Sequence, residues 1–338
     1  MGVKREEYNG KMIVLAFPDT FVKFSHEKVS KLLPLVGLGR KGIIKAGHAA
    51  FILIENATGK ASYYDFGRYI TPFGYGRVRS ADTDMELHIP FKASIGNKSE
   101  LLNLKEFLIW LEAHPEKTHG SGRLIASVCS AINYEKAFQY VSTIQNQGSI
   151  PYYTFKKKGT NCSRIVTDTI LAATNEPRII RPLLRNKKFT PSPLGNVEKA
   201  RLNSPIYKIE NGIISYYDQK VFKENMTNYF KRQKTRQTPL TSINPVPNQE
   251  IAKAQLLTGI GSDAYFLITT TSKKEEFLIK RFTKKGRLDF KGLFISQSPF
   301  NPSESYQFTY DSHCKYCHVL QNGQKIKFER IKVIFPEF

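Results

Sequence analysis

The sequence predicts an α+β fold in its first two thirds and an all-β unit after it, and three observations carry this. Short apolar runs of strand length, Lys11 to Phe17 and His48 to Ile54, sit near the N-terminus. Segments with helical spacing follow, each opened by a cap-type residue at Asn103, Asn133 or Asn161. Beyond residue 250 the helical period gives way to strand-length runs at short intervals.

Taken in order, Lys11 to Phe17 reads as a strand ending at Pro18-Asp19. Ser25 is expected to cap a helical segment with Val29, Leu32 and Leu33 as its apolar stripe, ended by Pro34. His48 to Ile54 is apolar at successive positions, as in a strand covered on both faces. Asn56 to Lys60 contains Gly59 and turns the chain into a partner strand, Ala61 to Gly67. Centring that turn near Ala57 and Thr58 sets Ala50 opposite Asp65. Asp65 then shares a face with Ala50 and His48, because side chains alternate with period two. A slip of one residue would reverse this.

Gly74 to Arg79 reads as a glycine-rich basic loop and Met85 to Phe91 as a third strand. Asn103 and Glu106 have capping-box spacing, and Leu104, Phe107, Leu108 and Leu111 should face inward. Arg123 to Ser130 reads as a strand, followed by a helix capped by Asn133 and ending near Gly148. Cys162 opens a run with helical spacing, Ile165, Val166, Thr169, Ile170 and Ala173. The pattern weakens from Pro191 to Pro205, and Ile206 to Tyr217 is a hairpin turning at Asn211-Gly212. Met226 to Asn248 lacks periodicity and reads as a basic linker. The strands after it form a small barrel or sandwich, its last hairpin turning at Asn322-Gly323. The expected division is 1–203 for a catalytic domain, 204–249 for a hairpin and linker, and 250–338 for the β-rich domain.

At 338 residues, with 41% hydrophobic and 12% aromatic residues, the chain can build packed cores and is not a disordered protein. Its net charge of +22 suits an anionic partner. The basic residues are scattered and no nucleic-acid motif accompanies them, so no nucleic-acid partner is expected; an anionic polymer such as peptidoglycan fits better. Four cysteines in this length do not make a disulfide framework, and no run reaches the ~18 apolar residues of a membrane span. The apolar run Met12 to Phe17 is also short for a signal peptide. The protein is expected to be cytoplasmic as synthesised, with any export through a non-Sec secretion system.

Cys162 is the candidate nucleophile. It follows a glycine and two cap-type residues, Thr160 and Asn161, and a thiol at a helix N-terminus is biased toward thiolate. Cys129 is its control, set in an apolar strand with no cap before it. His48 is the candidate base, with His88 as its competitor. Asp65 is the candidate third member, which would fix the imidazole tautomer, with His88, Glu86 and Asn161 as alternatives.

Gly47-His48 opening a strand, a hairpin, and a much later Asn161-Cys162 opening a helix together resemble the circularly permuted papain-like hydrolases. These include the NlpC-type peptidases and the lecithin:retinol acyltransferase-like proteins. The phrases Gly-His-Ala-Ala-Phe-Ile-Leu-Ile, Tyr-Tyr-Asp-Phe-Gly-Arg-Tyr and Asn-Cys-Ser-Arg-Ile-Val-Thr-Asp also look like an uncharacterised Bacteroidetes family, over roughly residues 10–200. This resemblance implies a permuted papain-like domain, with an antiparallel sheet and a nucleophile helix, that transfers acyl groups through Cys162 and His48. Where many lecithin:retinol acyltransferase-like members carry a second histidine, this chain offers only Asp65.

Tyr64, Arg68, Tyr69, Tyr75, Arg77 and Asn161 are the expected substrate-binding residues. The leading expectation is a cysteine hydrolase of amide bonds, with cell-wall peptides as substrate. The alternatives are a thioesterase or lipid acyltransferase using the same dyad, and an idle scaffold that binds an anionic partner. His313-Cys314-Lys315-Tyr316-Cys317-His318 contains a Cys-x-x-Cys-His pattern, but no second ligand pair lies nearby. As a strand it would point Cys314 and His318 to one face and Cys317 to the other. Neither a metal nor a cofactor is expected, and Gly74-Tyr75-Gly76-Arg77 lacks the Gly-Lys-Ser/Thr of a P-loop.

Overall fold

The structure is a computed structural model and describes residues 8–231 and 249–335. The chain divides into two compact units. The first comprises Met1–Phe66, Ile89–Gln147 and Pro151–Lys234; the second comprises Gly67–His88, Gly148–Ile150 and Thr235–Phe338. Most of the expected linker, residues 232–248, lies outside the described residues.

The main-sheet strands of the first unit are β1 (Gly10–Phe17), β2 (His48–Glu55), β3 (Ala61–Gly67), β5 (Leu124–Ile132), β6 (Tyr207–Glu210) and β7 (Ile213–Tyr216). They run side by side in the order β7-β6-β5-β1-β2-β3, every pair antiparallel. β1 and β2 are buried along nearly their whole length, which explains why neither alternates in sequence. The β6–β7 hairpin turns at Asn211 and Gly212, both at positive φ, and adds to the sheet through β5.

Among the described residues, six α-helices of eight residues or more accompany the sheet: α1 (Leu104–Ala113), α2 (Tyr134–Asn146), α3 (Cys162–Ala173), α4 (Pro177–Lys187), α5 (Pro193–Ala200) and α6 (Val221–Phe230). α3 packs on β2, and α5 on β1 and β5. Phe107, Leu108 and Leu111 of α1 are buried as their spacing requires, and Asn133 caps α2 by accepting the Lys136 N–H. Asn103 departs from the capping box. Its Oδ1 accepts the Ser94 N–H and its Nδ2 donates to Glu106, so it ties a loop to α1 without capping the backbone.

Three other expectations are corrected. Ser25 does not cap the Lys28–Val36 segment, which is a 3-10 run with Val29 and Leu32 exposed; its hydroxyl bonds Glu27 instead. α5 occupies the stretch where the pattern weakens, with Ser192 as cap and Pro193 at its first position. Tyr75–Arg79 is a strand, β4, whereas Met85–Leu87 is a single 3-10 turn. Asp84 and Glu86 stand before and within that turn, and both carboxylates bond the Arg281 guanidinium.

In the second unit, β8 (Gln255–Leu257), β9 (Ala264–Thr270), β10 (Glu276–Thr283), β11 (Leu288–Ser296), β12 (Gln307–Phe308), β13 (Tyr316–Gln321) and β14 (Gln324–Phe335) make an antiparallel sheet. Its order, β8-β9-β10-β11-β14-β13-β12, curls into a near-closed seven-stranded barrel. Gln255 on the first edge holds the seam. Its amide donates to Tyr306 O at 2.9 Å and accepts the Phe308 N–H at 2.9 Å, satisfying groups an open edge would leave unpaired.

Phenylalanines 266, 277, 290, 294, 308 and 328 fill the barrel with Cys314 and Cys317. Cys314 precedes β13, so strand alternation does not govern it, and both thiols point into the core. Burial pushes Cys314 up to about 12 and Cys317 well above the ordinary thiol range, which disfavours the thiolate a metal needs. His318 Nδ1 faces Asp311 Oδ2 at 3.1 Å. Among the described residues, no group of three His, Cys, Asp or Glu side chains is placed to hold a metal ion.

Candidate active site

Cys162 is the first residue of α3, and the local sequence explains why. Asn161 has extended backbone and its Oδ1 accepts the Arg164 N–H at 2.9 Å, starting the helix one residue before the thiol. Asn161 Nδ2 donates to Tyr153 O at 3.0 Å. Both ends of its amide are therefore engaged in setting the helix start.

His48 begins β2. Gly47 before it has φ +77, and a Cβ there would come within 3.1 Å of Phe17 O, so glycine is what allows the chain to enter β2 beside β1. The β1 register pairs His48 with Phe17, and the two rings stack at 6.4 Å. The β2–β3 register pairs Ala50 with Asp65, as centring the turn near Ala57 and Thr58 requires.

Asp65 Oδ2 lies 3.3 Å from His48 Nε2 and accepts the Tyr63 hydroxyl at 3.2 Å. Tyr63 and Asp65 share a face because they are two apart on β3. Tyr63 had no sequence signal beyond that spacing. Two of the three alternative third members are otherwise occupied: Glu86 takes an N–H from Arg281 at 2.6 Å, and Asn161 caps α3.

His48 also shares a hydrogen bond with Cys162. Burial would lower the imidazole, but the Asp65 hydrogen bond and the Cys162 sulfur outweigh it and carry His48 up to about 9. Burial would raise the Cys162 thiol. His48, the Ala49 backbone N–H and the Ser163 hydroxyl overcome this and hold it below the ordinary thiol value. The arrangement favours a thiolate–imidazolium pair. Cys129 shows the contrast, since burial with no such partner pushes it up to about 12.

The remaining expected binding residues are elsewhere engaged. Tyr64 is buried and stacks on Phe51 at 5.3 Å. Arg68, Tyr69, Tyr75 and Arg77 fall in the second unit. Arg77 is buried and grips Asp84 through two hydrogen bonds of 2.6 and 2.7 Å, with a third to Tyr69 O. Tyr69 lies under the Arg79 guanidinium at 3.8 Å, and Arg68 O accepts the Gly261 N–H. Tyr75 is exposed. Arg68, Tyr69 and Arg77 are thus built into the second unit, which sequence spacing could not reveal.

Two buried charges missed by sequence reasoning brace the chain leading to Cys162. Glu27 accepts the backbone N–H groups of Thr154, Phe155 and Lys156, and Arg164 donates to the carbonyls of Thr154, Lys156 and Gly159. Neither carries a motif, because their partners are backbone atoms more than a hundred residues away for Glu27.

Residues 12–179 match the family model described as Type VI secretion system effector TseH-like, and residues 254–331 match the DUF6695 C-terminal domain. The crystal structure of the Type VI secretion system effector TseH is similar at 18% identity and a TM-score of 0.44, covering 62% of this chain and 99% of that one. No curated protein matches. The first match overturns the resemblance to the permuted papain-like hydrolases and to the Bacteroidetes family. The motifs behind that resemblance were short, and an imidazole on a strand beside a thiol at a helix start recurs on unrelated folds. Among the described residues no helix is long and apolar enough to cross a membrane, and an effector family of this kind bears out the expected non-Sec route. Residues 12–179 are thus similar to the TseH-like Type VI secretion effectors, and residues 254–331 to the DUF6695 C-terminal domain.

Proposed function

We propose that the first unit is a cysteine hydrolase of amide bonds, with the peptides of bacterial cell wall as its substrate. The observation that carries this reading is the hydrogen-bonded series Cys162–His48–Asp65, with sulfur biased toward thiolate and imidazole toward imidazolium. In the reaction, Cys162 Sγ attacks the amide carbon, and the carbonyl π electrons move onto oxygen. That oxygen would be met by the Cys162 N–H, at a helix end where N–H groups lack intrahelical acceptors. His48 gives its proton to the leaving nitrogen as the C–N bond breaks, leaving a thioester on Cys162. His48 then takes a proton from water, the hydroxyl adds to the thioester, and the C–S bond breaks to release the acid and restore the thiolate–imidazolium pair. Asp65 keeps the ring oriented throughout.

The wall assignment is supported by the secretion-effector family match and by the net charge of +22, which suits an anionic polymer. The test is Cys162→Ala assayed on purified wall fragments. Hydrolysis should disappear while the thermal midpoint stays near that of the parent, and retained hydrolysis would end this reading.

A further inference from the structure

The chain reaches Cys162 through a loop that is held from two sides. Its base is closed by Tyr153 N–H to Thr160 O at 3.0 Å and Thr160 N–H to Pro151 O at 3.1 Å. Inside, Glu27 accepts from Thr154 at 2.6 Å, Phe155 at 3.0 Å and Lys156 at 2.7 Å. Arg164, two residues past the thiol, donates to Thr154 O at 3.0 Å, Lys156 O at 2.9 Å and Gly159 O at 2.8 Å. The loop therefore lies over the first turn of α3. Burying a carboxylate and a guanidinium is costly unless both are fully bonded, and here both are given over to the backbone of one short loop.

That bracing holds three consecutive lysines outward. Lys156, Lys157 and Lys158 are all exposed, and Lys156 Nζ sits 5.1 Å over the Tyr153 ring. The Phe155 ring meets Phe189 at 5.6 Å, which brings toward the same loop the exposed Arg185, in the last turn of α4, and Lys188, just past it. Two nearby acids face cations outside this row: Glu27 faces the Arg164 guanidinium, and Asp168 is paired with Lys187 at 2.6 Å. A run of like charges on a free loop spreads apart in water. A run on a fixed loop keeps a local positive potential.

We propose that Lys156, Lys157 and Lys158, with Arg185 and Lys188, form an anion-binding rim beside the nucleophile. Its ligand is a carboxylate or phosphate carried by the substrate close to the amide that is cleaved. This rests on the reading of Cys162 as the nucleophile, but the rim can be tested apart from it. A short fixed row of cations matches a few anionic groups on a flexible polymer, and nothing in it follows a duplex backbone.

The experiment uses the full chain and the variant Lys156→Gln/Lys157→Gln/Lys158→Gln. A control, Lys273→Gln/Lys274→Gln/Lys285→Gln, removes equal charge in the second unit. Binding of fluorescent polyglutamate and of polyphosphate is read by anisotropy at low salt. The rim variant should bind at least one of the two roughly tenfold more weakly, and the control should match the parent. The probe that loses affinity identifies carboxylate or phosphate as the preferred ligand. Equal losses in rim variant and control would overturn the proposal, as would a DNA duplex that depends on the rim more than either polymer does. Alkylation of Cys162 separates the two readings. Iodoacetate should lose rate in the rim variant while neutral iodoacetamide does not, and an iodoacetamide rate no faster than that of Cys129 would count against the nucleophile alone.

Discussion

Asp65→Asn isolates the contribution of one buried carboxylate. Against burial, which acts to lower it, His48 stands at about 9 where free imidazole stands near 6.5. That net difference corresponds to about 3 kcal/mol in favour of imidazolium, and the Asp65 hydrogen bond is the largest single cause that favours it. An amide at residue 65 keeps the shape and removes the charge. The imidazolium should lose on the order of 2 kcal/mol of stabilisation, and its tautomer should no longer be held. With less imidazolium, Cys162 should return toward the ordinary thiol value. The iodoacetamide rate at Cys162, followed against pH, should therefore turn on at higher pH in the variant than in the parent. Wall-fragment hydrolysis should fall by roughly 10²–10³-fold in kcat/KM. In the parent, activity should also decline as pH rises through about 9, where His48 loses the proton needed by the leaving nitrogen. An unchanged alkylation profile together with unchanged hydrolysis, in a variant with parental thermal midpoint, would refute the proposed coupling.

Two further outcomes are expected. Asn161→Ala removes the cap that starts α3, costing about 1 kcal/mol of stability, and should lower activity more than that cost implies because Cys162 is displaced; activity tracking stability alone would contradict this. Arg281→Met leaves Asp84, Glu86 and Asp289 without their shared guanidinium, so the denaturation midpoint of the barrel should fall by the equivalent of about 3–5 kcal/mol, and an unchanged midpoint would show that the cluster is dispensable.

Much of the fold was legible where a local rule sufficed. Asn211-Gly212 and Asn322-Gly323 announce their hairpins because both residues of such a turn need positive φ. Asn133 and Asn161 announce α2 and α3 because a side-chain oxygen satisfies the free N–H groups of the first turn. The geometry around Cys162, His48 and Asp65 was legible for a similar reason, since a short hairpin with a defined turn fixes its own register. β4 reads as a loop because Gly74 stands just before it and Gly76 inside it, and the 3-10 turn at Met85–Leu87 reads as a strand because its composition suits one.

What the sequence determined by itself was therefore local: strand and helix starts, hairpin register, and a cysteine placed at the head of a helix. Tertiary structure decided which charges are buried and with whom. Arg77 went to Asp84, Glu27 and Arg164 to the loop before Cys162, and Asn161 to the helix backbone. A lone charged residue looks the same in sequence whether water or a distant backbone will solvate it, and only the folded chain, by excluding water, makes that choice.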